Sequence, residues 1–282
     1  MKNVIALVER ELRREFHNVV SPKANFTKFA EDAVSTARIK EQWRLLWQLS
    51  AEKLPADSML LELGSGFGGF ISYASKQGMV ALGVEPDEER IHISHNLFDL
   101  KQTKEAFVVK GVGESLPFPD NCFHVVYSTN VFEHVEDPEA VLSEAIRVLK
   151  SGGFLQFVIP NYGSWWEGHY GLVWFPNMPK PLAKIYVRLH GRDPRFLDGL
   201  RFINRTWLEA ILNKHTNTEI VAWGVDTWEK RLRTLSFSEW ASLGRLKGIL
   251  CWIHRLRLVD IIVRLGKRLH WETPFVLTLR KS

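Results

Sequence analysis

A chain of 282 residues, 45% of them hydrophobic, can bury a full core and reads as one domain with elaborations. No apolar run reaches the ~18 residues of a spanning helix, and Val4–Val8 is too short for a signal-peptide core, so a cytoplasmic protein is expected. The net charge of +5 is unevenly spread, and the two cysteines, Cys122 and Cys251, lack metal-type spacing; they read as reduced thiols, with no metal expected.

Residues 1–54 read as an N-terminal helical extension, with Leu45, Leu46 and Leu49 at helical spacing and no strand-like alternation. Pro55-Ala56-Asp57 is a turn into Leu60–Leu63, a buried strand that runs into Gly64, Gly66, Gly68 and Gly69. Glycine permits positive φ and lets a ligand approach where a Cβ would collide. Met79–Val84 is a strand ending at Glu85, Pro86–Leu100 a helix, and Ala106–Lys110 and Phe123–Ser128 are strands. Asp137 and Pro138 form a cap and first-turn pair for a helix through Lys150, which Gly152 and Gly153 close. Phe154–Ile159 is the next strand. Alternating β and α elements, with strands apolar on both faces, predict an α/β fold with a Rossmann-like, doubly wound parallel sheet.

After Pro160 the alternation breaks. Residues 161–205, rich in aromatic residues, Pro and Arg, read as a lid inserted over the C-terminal edge of the sheet. Trp207–Lys214 is a helix, Thr218–Gly224 a strand and Pro274–Leu279 a final strand, with a basic helical insertion over 231–270.

Gly64, Gly66 and Gly69 satisfy G-x-G-x-x-G, so the turn alone does not name its cofactor. The residues around it carry a family resemblance. Leu61-Glu62-Leu63-Gly64-Ser65-Gly66-Phe67-Gly68 resembles the first motif of class I S-adenosylmethionine-dependent methyltransferases, and Gly83-Val84-Glu85-Pro86 their second-strand acid. Residues 113–123, beginning Gly113-Glu114-Ser115-Leu116-Pro117-Phe118, resemble the segment A-E-x-L-P-F-x-D-x-x-F. Glu133-His134-Val135-Glu136-Asp137-Pro138 resembles E-H-V-x-D-P, and Arg147-Val148-Leu149-Lys150-Ser151-Gly152-Gly153 resembles R-V-L-K-P-G-G. In register over residues 59–160, these segments are similar to a methyltransferase type 11-like domain. The resemblance implies a methyltransferase domain over 55–282, a mostly parallel seven-stranded sheet with an antiparallel last strand, and S-adenosyl-L-methionine as cofactor.

The physical logic agrees with that cofactor. Glu85 stands at the tip of the second strand, where an acid can accept from both ribose hydroxyls. A carboxylate at Glu62 would repel a pyrophosphate but can pair with an ammonium group. Gly64, Ser65, Gly66 and Gly68 shape the turn, and Asn130 closes the site. Val112 occupies the position where the family often has an adenine-binding Asp, so adenine recognition falls to backbone around Gly113, to Glu114 and to packing from Pro86. His124 replaces another family Asp and reads as a half-exposed strand residue.

Methyl transfer needs alignment, and a base only where the acceptor loses a proton. His134, after the fourth strand, and His169, in a glycine-flanked aromatic loop, are the candidate bases; orienting the loop is the alternative role for His134. Trp165, Trp166, Tyr170 and Trp174 are candidate substrate contacts, against the plainer alternative that the insertion packs its own small core. Lys180, Lys184, Arg188, Arg192, Arg195, Arg201 and Arg205 would suit an anionic acceptor or form a solvated basic surface.

From Arg231 to His270 there are nine Arg or Lys against two acids. Leu258, Ile261, Ile262, Leu265 and Leu269 form one helical stripe there, which would either pack on the sheet or a second subunit or rest on an anionic membrane surface. Nucleic acid is not an expected partner, and the oligomeric state stays open. The function read from these residues is methylation of a hydroxyl on a saccharide or lipid-linked intermediate. C- or O-methylation of a quinone-type or other small molecule is the nearest alternative, and a non-catalytic S-adenosylmethionine-binding scaffold or sensor is the alternative of another class.

Overall fold

The computed structural model describes residues 1–21, 24–50, 58–236 and 244–282. The turn expected at 55–57 and residues 237–243 of the basic stretch lie outside the described residues. Three helices come first: α1 (Lys2–Phe16), α2 (Phe26–Ala33) and α3 (Thr36–Ser50). The alternating part follows as β1 (Met59–Leu63), α4 (Gly69–Lys76), β2 (Val80–Glu85), α5 (Glu88–Lys101), β3 (Ala106–Lys110), β4 (Phe123–Thr129), α6 (Pro138–Val148) and β5 (Leu149–Ile159).

The insertion contains a small hairpin, β6 (Trp166–Glu167) and β7 (Leu172–Val173), then α7 (Lys180–Leu189) and a 3-10 turn over Pro194–Gly199. The chain ends with α8 (Arg205–Leu212), β8 (Thr218–Ala222), α9 (Val225–Thr234), α10 (Gly244–Arg255), α11 (Val259–Leu269) and β9 (Phe275–Lys281).

Seven strands form one sheet in the order β3-β2-β1-β4-β5-β9-β8, with β9 antiparallel to both its neighbours and the other pairings parallel. This is the Rossmann-like, doubly wound architecture expected from the alternating pattern. The strand order reverses between β1 and β4, and ligands of open α/β sheets bind outside the strand C-termini at such a point. Both sheet faces are buried. On one, Leu61, Leu63, Val126, Phe157 and Leu277 pack with Leu142 and Ile146 of α6; on the other, Leu60, Val125 and Tyr127 pack with Phe70, Ile71 and Ala74 of α4.

Helix α6 starts as expected: the Asp137 carboxylate accepts from Glu139 N–H at 3.0 Å and Ala140 N–H at 3.1 Å. It ends at Val148 rather than Lys150, because Leu149 already pairs with Phe123 and β5 begins there. The N-terminal helices sit on the side of the sheet that holds the glycine turn. Val4 and Val8 of α1 and Ala30 of α2 cluster with Ile93 and Leu97 of α5, and a Cβ on Gly69 would lie 3.1 Å from Ile39 of α3. Polar contacts fasten α1 there too: Arg14 pairs with Asp87 at 3.2 Å, and Arg10 pairs with Glu89.

The aromatic insertion has its own core. Tyr162, Tyr170, Trp174, Met178, Val187 and Leu197 cluster with Val19, just beyond α1. Backbone contacts join the same regions: Asp193 N–H donates to Asn18 O at 3.0 Å, and Arg192 Nη1 donates to Val20 O at 2.8 Å. Among the described residues, no helix is long and apolar enough to cross a membrane.

Candidate active site

The glycine turn is built by backbone. Gly64 and Ser65 N–H both donate to Val84 O, at 2.9 and 3.1 Å, which ties the end of β1 to β2. Gly64, Gly66 and Gly68 all have positive φ, but they face different surroundings. A Cβ on Gly64 would stand 2.4 Å from Val131 Cγ2 and one on Gly68 2.8 Å from Phe98, so both are needed for close packing. A Cβ on Gly66 would meet nothing within 4 Å. The space above Gly66 is open to a ligand.

Acids flank that space. Glu85 is buried and accepts from Gly66 N–H at 2.8 Å and Asp87 N–H at 3.2 Å. Burial raises its pKa above the usual carboxylate value, against the Arg90 charge and those two N–H bonds. Glu62 is buried too, and burial, then the charge of Glu85, pushes its carboxyl well above the usual range. Its Oε2 and the Ser65 Oγ are buried without hydrogen-bond partners among the described residues. Orphaned buried acceptors are costly. Their presence beside an open glycine turn fits a ligand bearing an ammonium group and hydroxyl donors, as S-adenosylmethionine does.

Other sequence-predicted cofactor residues are differently employed. Glu114 Oε1 accepts from the N–H groups of Glu136, at 2.9 Å, and Asp137, at 3.3 Å, so its carboxylate already braces the loop after β4. Gly113 packs against Val141, and its Cβ would stand 3.2 Å away. Pro86 is exposed beside Glu85. Asn130 takes a positive φ at the end of β4, its N–H donating to Val158 O at 2.9 Å and its side chain exposed.

The loop after β4 and the inserted hairpin bring both candidate bases together. The rings of His134 and His169 lie 5.3 Å apart, nearly perpendicular, and Phe196 packs on each. Glu133, fully buried, stands behind them. One of its oxygens is 3.7 Å from His134 Nε2 and 3.6 Å from His169 Nε2, too far for hydrogen bonds, and neither oxygen has a hydrogen-bond partner among the described residues. On its other side, His169 Nδ1 meets Glu167 Oε1 at 2.7 Å. Glu167 is itself held by Tyr170 N–H at 2.7 Å and Tyr162 Oη at 3.2 Å. Nothing in the sequence motifs marks Glu167 as a functional residue; its only signal is its position two residues before His169.

Electrostatics separates the two imidazoles. Burial lowers the pKa of His134, and the neighbouring His169 charge adds to that, outweighing Glu133. Burial opposes protonation of His169 as well, but the carboxylates of Glu133 and Glu167 overcome it and raise its pKa to about 10. At neutral pH His134 is therefore neutral, and His169 is a cation between two carboxylates. The metal-capable atoms of Glu133, His134 and His169 lie within 4.8 Å of one another, a cluster the sequence did not lead one to expect. The proton on His169 already supplies positive charge there.

The predicted substrate aromatics divide. Tyr170 and Trp174 are buried in the insertion's core, with Tyr170 Oη donating to Asp193 O at 2.7 Å. Trp166 is half-buried on β6, and Trp165 is exposed, meeting Phe175 and Trp271. Most of the basic residues of the insertion are spent internally. Arg201 donates through Nε to Val135 O at 2.9 Å, and its backbone N–H donates to Glu133 O at 2.8 Å, clamping the loop after β4. Arg205 lies over the Trp223 ring at 3.4 Å and pairs with Glu209 at 2.6 Å, and Arg195 pairs with Asp193. His124 is structural, accepting from Met59 N–H at 3.0 Å.

Comparison with known proteins agrees with the sheet order and the motifs. A methyltransferase-domain family model matches residues 61–157. An uncharacterized methyltransferase of Mycobacterium sp. (strain JLS) is 34% identical over 154 residues, which cover 53% of this chain and 58% of that protein. One from Mycobacterium tuberculosis is 33% identical over the same shares. The chain thus spans a little over half the length of these relatives. Among solved structures, phosphoethanolamine N-methyltransferase 2 of Haemonchus contortus, in complex with S-adenosyl-L-methionine, aligns with a TM-score of 0.55 at 14% identity. That alignment covers 96% of this chain and 58% of the other, and the likeness is one of fold. Over residues 61–157 the chain therefore carries a methyltransferase domain, on a sheet of the class I S-adenosylmethionine-dependent type.

Proposed function

We propose that this chain transfers a methyl group from S-adenosylmethionine to a hydroxyl of a saccharide or lipid-linked acceptor, with His134 as the base. The observation that carries this reading is the opposed pair of histidines at the C-terminal edge of the sheet. A neutral His134 beside a buried carboxylate can take a hydroxyl proton at physiological pH. His169, charged and fixed between Glu133 and Glu167, keeps the loop and the hairpin together and orients Glu133; it is a positioning residue. Pairs of titratable groups pushed apart by their surroundings are how one site assigns a base.

S-adenosylmethionine supplies the activated methyl on its sulfonium. Glu85 would accept from the ribose hydroxyls, Glu62 would pair with the ammonium group, and Ser65 and the Gly66 backbone would line the methionine part. The exposed Trp165 and Phe175, beside the hairpin that bears His169, support an acceptor with a lipid or sugar face.

Calorimetry and an acceptor screen test the reading. Glu85→Ala should weaken S-adenosylmethionine binding by about a hundredfold, the loss of two hydrogen bonds to a charged acceptor. With labelled cofactor, the label should enter the lipid or saccharide pool of a fractionated extract. Label confined to small phenolic acceptors would support the quinone-type alternative. Binding without any turnover would support a scaffold or sensor.

A further inference from the structure

Helices α10 and α11 are apolar on two sides. Their inner sides are already packed: Leu250 is buried, and Val263 and Gly266 of α11 lie against α9, where a Cβ on Gly266 would stand 2.2 Å from the Trp228 ring. Their outer sides carry a second apolar row. On α10 this is Ile249 and Trp252, continued by Leu256 just past its end, where Leu256 N–H still donates to Trp252 O at 3.0 Å; on α11 it is Ile261, Leu265 and Leu269. All six are exposed, Trp252 by 60% and Ile261 by 53%. Intervals of three and four residues put each trio on one side of its helix. Scattered exposed leucines are ordinary, but an ordered row on each of two successive helices is not. The stripe seen in the sequence is therefore not consumed by packing among the described residues.

The charge around these rows identifies what they meet. Over 244–269 there are seven Arg or Lys and one acid, Asp260, which already pairs with Arg233 at 2.8 Å. Arg255, Arg257, Arg264 and Arg268 are exposed and make no side-chain ion pair among the described residues. A second copy of this face would oppose positive charge with positive charge across a two-fold contact, which is unfavourable. Phospholipid headgroups offer the complementary sign, and apolar side chains with a tryptophan suit the boundary between headgroups and acyl chains.

We propose that α10 and α11 dock on an anionic lipid bilayer, with the exposed apolar row of each helix in the headgroup boundary and Arg255, Arg257, Arg264 and Arg268 at the phosphates. The surface continues towards the acceptor side. Trp271, just past α11, meets Trp165 at 5.5 Å between ring centroids, and Trp165 immediately precedes the hairpin that presents His169. Docking would bring that hairpin to the membrane, where a lipid-linked acceptor resides. Only this last link rests on the proposed function.

The test is co-sedimentation of the whole chain with phosphatidylcholine vesicles, with and without phosphatidylglycerol. The chain should bind the anionic vesicles at least about tenfold more tightly than the zwitterionic ones, and less as salt rises. Trp252→Glu with Leu265→Glu, and separately Arg264→Glu with Arg268→Glu, should each lower that binding about tenfold or more. Melting temperature and S-adenosylmethionine affinity should stay unchanged in both, which separates failure of docking from failure of the methyltransferase reading. Failure of the unaltered chain to sediment, or undiminished sedimentation of either folded variant, would overturn the proposal. So would a dimer that the Trp252/Leu265 variant splits without change in vesicle binding, since the face would then join two copies of the chain.

Discussion

His169 and Glu167 meet at 2.7 Å inside the aromatic insertion, and this contact turns the ring so that its other nitrogen faces the buried Glu133. A short hairpin thereby places a fixed positive charge next to a buried carboxylate that accepts no hydrogen bond among the described residues. The insertion and the loop after β4, 36 residues apart in sequence at His169 and Glu133, become one polar cluster.

The first consequence is a pH-dependent stability. The folded pKa of His169 is raised from an ordinary 6.5 to about 10. A raised folded pKa means that stabilisation by the proton is fully present below about 6.5 and is lost as pH climbs towards 10. The melting-temperature advantage of the unaltered chain over His169→Gln should shrink steadily across that window. A difference independent of pH would show that His169 is not a buried cation.

His134 shifts the other way, and the base role proposed for it predicts the shape of the rate profile. With its folded pKa below 6.5, the neutral ring that accepts a proton persists above that pH and disappears below it. The acid limb of kcat/KM should fall below pH 6.5. His134→Ala should lower kcat by about a hundredfold while leaving S-adenosylmethionine affinity intact. A limb that persists in His134→Ala would assign it to another group.

The glycine turn makes a sharper distinction between folding and binding. Gly64→Ala would drive a Cβ to 2.4 Å from Val131 at a φ of +66, and about 2–4 kcal/mol of stability should be lost. Gly66→Ala meets only the left-handed backbone penalty, about 1–2 kcal/mol, because its Cβ would point into open space. That Cβ would occupy ligand space, so Gly66→Ala should melt near the unaltered chain yet bind S-adenosylmethionine at least about tenfold less tightly. Equal affinities in the Gly66 variant and the unaltered chain would move the cofactor elsewhere.

Most of the frame was legible in the residues because local signals agreed with it. Asp137 caps α6 as its motif implies, and β1 ends at the glycines. The signals that failed were those that depend on distant partners. Glu114 looked free to meet adenine, yet two N–H groups of the loop after β4, 22 and 23 residues on, claim its carboxylate. The aromatic run from Tyr162 to Phe175 could not reveal which rings face inward. Tyr170 and Trp174 became core while Trp165 stayed exposed, a division set by contacts with Val19 and Leu197 from outside the run. The stripe on α11 was visible, but only the position of Trp228 against Gly266 shows that another side of the helix does the packing.

Glu62 yields a prediction about protons rather than rates. In the free protein its carboxyl is held well above the usual range, first by burial and then by the charge of Glu85. An ammonium group beside it favours the carboxylate and brings its pKa back down. Binding of S-adenosylmethionine should therefore release protons at any pH between the free and bound values. The measured binding enthalpy should then vary linearly with the ionisation enthalpy of the buffer, when phosphate is compared with Tris. Glu62→Gln carries no such proton, so most of that buffer dependence should vanish with it, leaving only what Glu85 contributes. If the unaltered chain shows the same enthalpy in every buffer, Glu62 is either ionised beforehand or remote from the ammonium group, and its assignment to the cofactor fails.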